Sequence, residues 1–308
     1  GVAMQAAILF TFWRRAGLSY QLDFAWRGVG LGRTGRAVSW MFGMIIVAQI
    51  AGVVQANVAS LAAGSEAPSL AILRFSWLIF MLPHSVVVVS LATAYFTRMS
   101  TNARDKNLAG VRADFLSSVS RIGFFMVLAT AGLVVVSLPF ARQFGGEIET
   151  MQAMALVISL YALGLVAFSV LFIVQRVFYA LEDTKTPFFL QVFQATVFIS
   201  LALGVSTLPL SQIAYGLALS TSTAGTLQTA VALIVLRRKL GGLGLMPLGI
   251  KFMTYALAAL PASALGVGIL VWFNAGANGV LTSSSFVAGL LMALITCAMS
   301  ATYALFLW

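Results

Sequence analysis

Charge is what this sequence has least of. Of its 308 residues only 8% are Asp, Glu, Lys or Arg, where a soluble domain carries about a quarter. Cysteine and histidine occur once each, as Cys297 and His84. One cysteine excludes an intrachain disulfide and a cysteine-based metal cluster. One histidine leaves no His–acid arrangement for hydrolase or acyltransferase chemistry. There is no aspartate-rich motif for Mg²⁺-bound pyrophosphate and no glycine-rich phosphate loop. These absences argue against an enzyme and give no reason to expect a metal or other cofactor.

What is abundant is apolar. Hydrophobic residues make up 61% of the chain, in recurring runs longer than 18 residues. Such runs cross a hydrocarbon core of about 30 Å as helices, and the alternating segments of a transmembrane β-barrel are missing. The chain reads as an all-α integral membrane protein with eight full transmembrane helices, near 37–63, 70–96, 119–140, 151–178, 187–207, 212–236, 250–273 and 284–308.

Lys and Arg outnumber Asp and Glu by 18 to 8, which in a soluble protein would suggest nucleic acid. Their placement excludes it. Fifteen cations fall in one alternating set of connections: Arg14, Arg15, Arg27, Arg33, Arg36, Arg98, Arg104, Lys106, Arg112, Arg176, Lys185, Arg237, Arg238, Lys239 and Lys251. The other set holds only Arg74 and Arg142, while Arg121 opens the third span. This asymmetry puts the basic connections, and the C-terminal end, on the cytoplasmic side, where anionic inner-leaflet lipid is the expected contact.

Residues 1–13 form an apolar stretch of half a span that stops at Arg14 and Arg15. A signal peptide places its charges before the apolar run, so this reads as the end of a transmembrane helix. Trp308 stops inside another apolar run. A piece of a longer protein is the expectation.

Two segments depart from simple spans. In 99–118, Leu108, Val111, Phe115 and Leu116 recur at helical spacing opposite Arg104, Lys106, Arg112 and Asp114, and Asn102 with Asp105 resembles a helix start. An amphipathic helix on the membrane surface is expected there. The span 151–178 has 28 residues, about 42 Å of helix, and is expected to tilt or project.

All eight acidic residues lie in loops or at span ends. Coupling to an ion or proton commonly needs a buried carboxylate; here either that residue lies outside the chain or the membrane potential acts on a charged substrate. Arg74 sits a turn inside its span and either snorkels or points into a wet cavity. Arg121 and Arg176 at span ends pose the same choice. His84, after Pro83, suits an interhelical hydrogen bond or a proton relay. Gln49, Gln55, Asn57, Gln191 and Gln194 suit interhelical bonds or a polar cavity lining. The run Ser220–Thr223 between Gly216 and Gly225 suits close helix packing.

At RVFYALEDTKTPF (176–188) the chain resembles the MurJ/MviN family of lipid II flippases, within the multidrug/oligosaccharidyl-lipid/polysaccharide exporter superfamily. Tyr179, Asp183, Lys185, Thr186 and Pro187 form the motif turn, with Pro187 in the first turn of the next helix. LPHSVVVVSLATAYFTRMS (82–100) and FWRRAGLSYQLDFAW (12–26) resemble the family's second C-lobe helix and its inter-lobe connector. The resemblance implies a fourteen-helix protein of two six-helix lobes and two further helices. On that plan 1–13 ends a truncated helix, 14–36 is a cytoplasmic linker, 37–236 is the C-terminal lobe, and 237–308 adds two helices that form a lipid-tail groove.

It further implies a bacterial cytoplasmic (inner) membrane location and a cationic cavity that takes lipid II or a related undecaprenyl-pyrophosphate glycolipid. Arg74, Gln49, Gln55, His84, Arg121 and Arg176 are the cavity candidates. The missing N-terminal lobe, which carries most of the family's cavity arginines, is an expected partner, and this portion alone is not expected to transport. Where the family has a C-lobe arginine this chain has Leu78, with Arg74 one turn earlier on the same face. Gln55 stands where some members are acidic. An exporter of another undecaprenyl-linked glycan, or a transport-inactive scaffold for cell-wall proteins, are the alternatives.

Overall fold

In hydrocarbon a backbone satisfies its polar groups within itself, and a helix does so locally. The computed structural model describes residues 4, 31–62, 70–274, 279–280 and 282–308, which are almost wholly helical with no strand among them. Seven helices are long and apolar enough to cross a membrane, and a bent pair makes an eighth. Apart from Met4, the half helix expected at 1–13 and the linker up to residue 30 lie outside the described residues.

The chain divides into two compact units, 1–39 and 40–308. In the first, the described part is Met4 and the opening of α1 (Leu31–Ser60), where Ser39 Oγ donates to the Gly35 carbonyl at 2.8 Å. The second contains the rest of α1 and α2 (Leu70–Pro83), α3 (Val89–Arg104), α4 (Leu108–Arg142), α5 (Ile148–Ala162), α6 (Leu165–Ala180), α7 (Lys185–Val205), α8 (Ile213–Lys239), α9 (Leu245–Asn274) and α10 (Ser285–Leu307).

α4 is the hub, touching α3, α5, α6, α9 and α10. Val111, Phe115, Val119, Ile122 and Met126 recur every three or four residues and are all buried, one continuous stripe of a 3.6-residue helix. This corrects the surface helix expected at 99–118. The chain instead ends α3 at Arg104, turns, and starts α4 at Leu108 with Asn107 as the cap, its side chain accepting from Gly110 N at 2.9 Å. The apolar face at Val111 and Phe115 packs inward because it is the first turns of the span itself. Asp114, expected on the solvated face, is 3% exposed and receives Arg98 at 2.9 Å and Asn102 at 2.8 Å.

The long span around 151–178 breaks rather than tilts: α5 and α6 meet at 43°. At the break Gly164 N–H bonds the Tyr161 carbonyl at 2.9 Å, one residue short of helical register. The Leu160 carbonyl loses its usual donor, and Ser222 Oγ on α8 supplies one at 2.8 Å. Within the Ser220–Thr223 run, expected to serve helix packing, Ser222 makes this contact between helices.

α2 and α3 are one rod interrupted by a π-helical turn, His84–Val88. Pro83 removes the N–H that would continue the ladder, and the wider turn absorbs the misfit.

α9 and α10 form a second core with the flank of α4, built on Ala262, Ile295, Met299 and Tyr303. A Cβ on Gly123 would lie 2.5 Å from the Phe252 ring, so α9 approaches α4 closely here and a side chain at 123 would have to displace that ring. Tyr303 OH donates to the Phe124 carbonyl at 2.9 Å. The outward faces of these two helices expose Met253, Leu257, Leu260 and Leu294, a surface suited to lipid rather than water.

Contacts also sort the connections by end. Arg112 reaches the Gly242 carbonyl, and Lys239 pairs with Asp183, which gathers three basic connections at one end. Arg142 and Gln143 bond the Ser283 and Ser285 carbonyls where connections poor in cations meet.

Candidate functional site

A cleft in the second unit separates the middle of α1 from α2, α5, α6, α7 and α8. It has two compartments, of about 690 and 490 Å³, that adjoin at Trp77 and Thr221. Both sizes lie in the range of small-molecule sites.

Arg74 lines the larger compartment because of where α2 buries its own face. Leu73, Ser76, Ile79 and Phe80 are buried, which turns Arg74 and Leu78 together toward the cavity. Gln49 and Gln55 face them from α1, and Gln55 Nε2 donates a long 3.5 Å bond to Tyr161 OH. Arg74 is the one charged side chain on this lining. No acidic residue among the described ones pairs with it; the ion pairs there belong to Arg98, Arg104 and Lys239. A guanidinium held in a cavity without a carboxylate is a site for an anion.

The other candidates lie elsewhere. His84 is 2% exposed, with Nδ1 3.3 Å from Ser169 Oγ and its ring against Phe168 and Phe172. Those two rings line the smaller compartment and screen the imidazole from it. Arg121 is exposed and stacks over Tyr95 at 5.9 Å. Arg176 covers Phe172 at 4.5 Å and Phe96 at 5.8 Å. Neither arginine lines the cleft, so of the six candidates three converge: Gln49, Gln55 and Arg74.

Trp77, Tyr161, Thr221, Gln175 and Gln228 complete the lining without having been singled out for it. Trp77 was within reach of a sequence argument, since it follows Arg74 by three and shares its face. Tyr161 and Gln228 come from distant helices with no local signal.

At the motif turn, Lys185 opens α7 and Pro187 sits in its first turn as expected. Asp183 accepts from Thr186 N at 2.9 Å and Thr186 Oγ1 at 2.6 Å, and pairs with Lys239. Tyr179 lies in the last turn of α6, and Lys185 Nζ stands 6.0 Å from the Trp40 ring. Burial by itself pushes the Asp183 carboxyl up, but the bonds from Lys239 and Thr186 outweigh it and hold the group below its ordinary value. The stabilisation from this turn is therefore complete above the ordinary carboxylate range and fades as pH falls through the depressed value. Asp183→Asn lowers the thermal midpoint in detergent at pH 7, and the two proteins converge at acid pH, once the pH is below the depressed value. A gap of equal size at both pH values would contradict this assignment.

A third cavity, of about 380 Å³, is apolar and runs between Leu82, Pro83 and Val87, the Met126–Val136 face of α4, and Met292 and Met299 of α10.

A family model described as lipid II flippase MurJ matches residues 1–301. The chain belongs to the MurJ family. A Thermotoga maritima protein named probable lipid II flippase MurJ is 29% identical over 198 residues, 63% of this chain and 39% of that protein. A solved structure described as lipid II flippase MurJ in an inward closed conformation superposes with a TM-score of 0.65 at 20% identity. It covers 92% of this chain and 56% of its own, and it shows that the helical arrangement is the MurJ fold. The chain thus spans about two-fifths of the curated relative and just over half of the solved one. All three segments that carried the resemblance, 12–26, 82–100 and 176–188, fall inside the MurJ match.

Proposed function

We propose that the intact protein moves lipid II from the inner to the outer leaflet by alternating access, as a transporter and not an enzyme. This chain supplies the six-helix lobe at 37–236 and the two-helix addition at 237–308. The observation that carries this reading is Arg74, unpaired with any described carboxylate on a cavity of about 690 Å³ beside Gln49 and Gln55. An anionic head group crossing hydrocarbon alone faces a large desolvation barrier. A fixed guanidinium in a wet cavity lowers it. The apolar cavity along α4 and α10 offers the polyprenyl tail a place that keeps it out of water. The end that gathers the basic connections faces the cytoplasm of a bacterial inner membrane and its anionic lipid.

Depletion of the protein tests the reading. The expected result is a rise in total lipid II with a fall in the fraction accessible from outside intact cells. Accumulation of a different undecaprenyl-linked glycan would transfer the assignment to that substrate. No change in either would leave a scaffold as the role.

A further inference from the structure

The smaller compartment of the cleft has its own chemistry. No charged side chain lines it. Its polar groups are four amides, Gln175, Gln191, Gln194 and Gln228, with the Thr221 hydroxyl at the edge it shares with the larger compartment, and Trp77 and Phe168 supply aromatic surface. Gln228 is anchored, its Nε2 donating to the Leu190 carbonyl at 3.1 Å.

Gln191 and Gln194, three residues apart on α7, bond one another, Nε2 to Oε1, at 3.0 Å. That bond lies within one helix, so these amides do not tie α7 to a neighbour, and the interhelical reading of their spacing falls away. Each amide offers one carbonyl and two N–H donors. The mutual bond uses a donor of one and the acceptor of the other. It leaves one side chain with an open carbonyl and the other with an open NH₂ group, and exchanging N and O on both leaves the same inventory. Polar groups in a membrane-embedded cavity cost free energy unless a ligand or water meets them.

An open carbonyl beside an open NH₂ group matches a solute that both donates and accepts without net charge. Hydroxyls and an acetamido group do so, and aromatic walls cover the apolar faces of the rings that carry them. We propose that this compartment is a saccharide subsite for an uncharged, N-acetylated part of the head group, distinct from the anion compartment at Arg74. The inference rests on the reading of this cleft as the head-group path and adds to it a division of labour. Phosphate is met by Arg74, and sugar is met by the amides of α6, α7 and α8.

The test uses the purified intact protein in detergent with two probes, N,N′-diacetylchitobiose and inorganic pyrophosphate. Gln191→Leu/Gln194→Leu should weaken disaccharide binding by about tenfold or more, the loss of two neutral hydrogen bonds. Pyrophosphate binding should stay as in the parent. Arg74→Leu should do the reverse. If the double variant misfolds, Gln175→Leu, on another helix of the same wall, takes its place. Disaccharide binding that is unchanged in a folded variant, or absent in a parent that binds pyrophosphate, would overturn the subsite. Pyrophosphate binding indifferent to Arg74→Leu would instead overturn the anion reading, while the disaccharide result stands by itself.

Discussion

On the proposed function, replacing Arg74 by leucine in the intact protein should cut export of the lipid-linked precursor by about ten- to a hundredfold, and placing arginine at position 78 of that variant should restore most of it. The magnitude follows from a charge-assisted hydrogen bond, worth about 1.5–3 kcal/mol net, at about 1.4 kcal/mol per tenfold. The rescue follows from helix geometry. Residues four apart lie one above the other on the same face, and Arg74 and Leu78 line the same cavity. A guanidinium has the reach to deliver its charge from either turn. Arg74→Lys keeps the charge without the planar fork and falls between the two. The measurement is lipid II accessible from outside cells, normalised to the amount of protein in the membrane. Export unchanged by Arg74→Leu would remove Arg74 from the substrate path. Failure of Leu78→Arg to rescue would mean that more than charge on this face is required.

Gly164→Val has the largest expected effect on stability. A Cβ there would lie 3.0 Å from Ser222 Oγ and 3.1 Å from the Ser222 Cα, and backbone does not step aside as a side-chain tip does. Overpacking of this kind costs about 1–3 kcal/mol. It also pushes away the hydroxyl that satisfies the Leu160 carbonyl at the break between α5 and α6. A carbonyl left alone in a membrane interior adds about 1–3 kcal/mol. Ser222→Ala isolates the second term, so it should lower the thermal midpoint by less than Gly164→Val. If Ser222→Ala is neutral, another group serves the Leu160 carbonyl and the hydroxyl is incidental.

The contrast between these two sites explains how far residue order could be read. Eight spans follow from run lengths, because a bilayer imposes one length scale on every helix. The two sets of connections follow from where Lys and Arg occur. Arg74 stood out because a cation inside an apolar run is expensive and needs a reason. The break at Gly164 did not stand out, because LYALGLV looks like uninterrupted span, and the hydroxyl that serves the carbonyl freed there is Ser222, on a helix 58 residues later in the chain. The surface helix expected at 99–118 failed for a related reason. An apolar face at helical spacing looks the same whether lipid or protein covers it, and only the packing of α3 on α4 put Asp114 and Val111 inside.

The cleft shows the same limit. Gln49, Gln55 and Arg74 were legible as polar residues within spans, but nothing local showed that they share a cavity while Arg121, Arg176 and His84 do not. Tertiary contacts did that. Phe168 and Phe172 screen the histidine, aromatic rings take up the two arginines, and Tyr161 closes the wall beside Gln55. Hydrophobic length and charge placement are properties of a segment and its solvent, so one dimension suffices for them. Which polar groups share a cavity depends on neighbours more than a hundred residues apart, such as Gln55 and Tyr161, and only the packed helices bring those together.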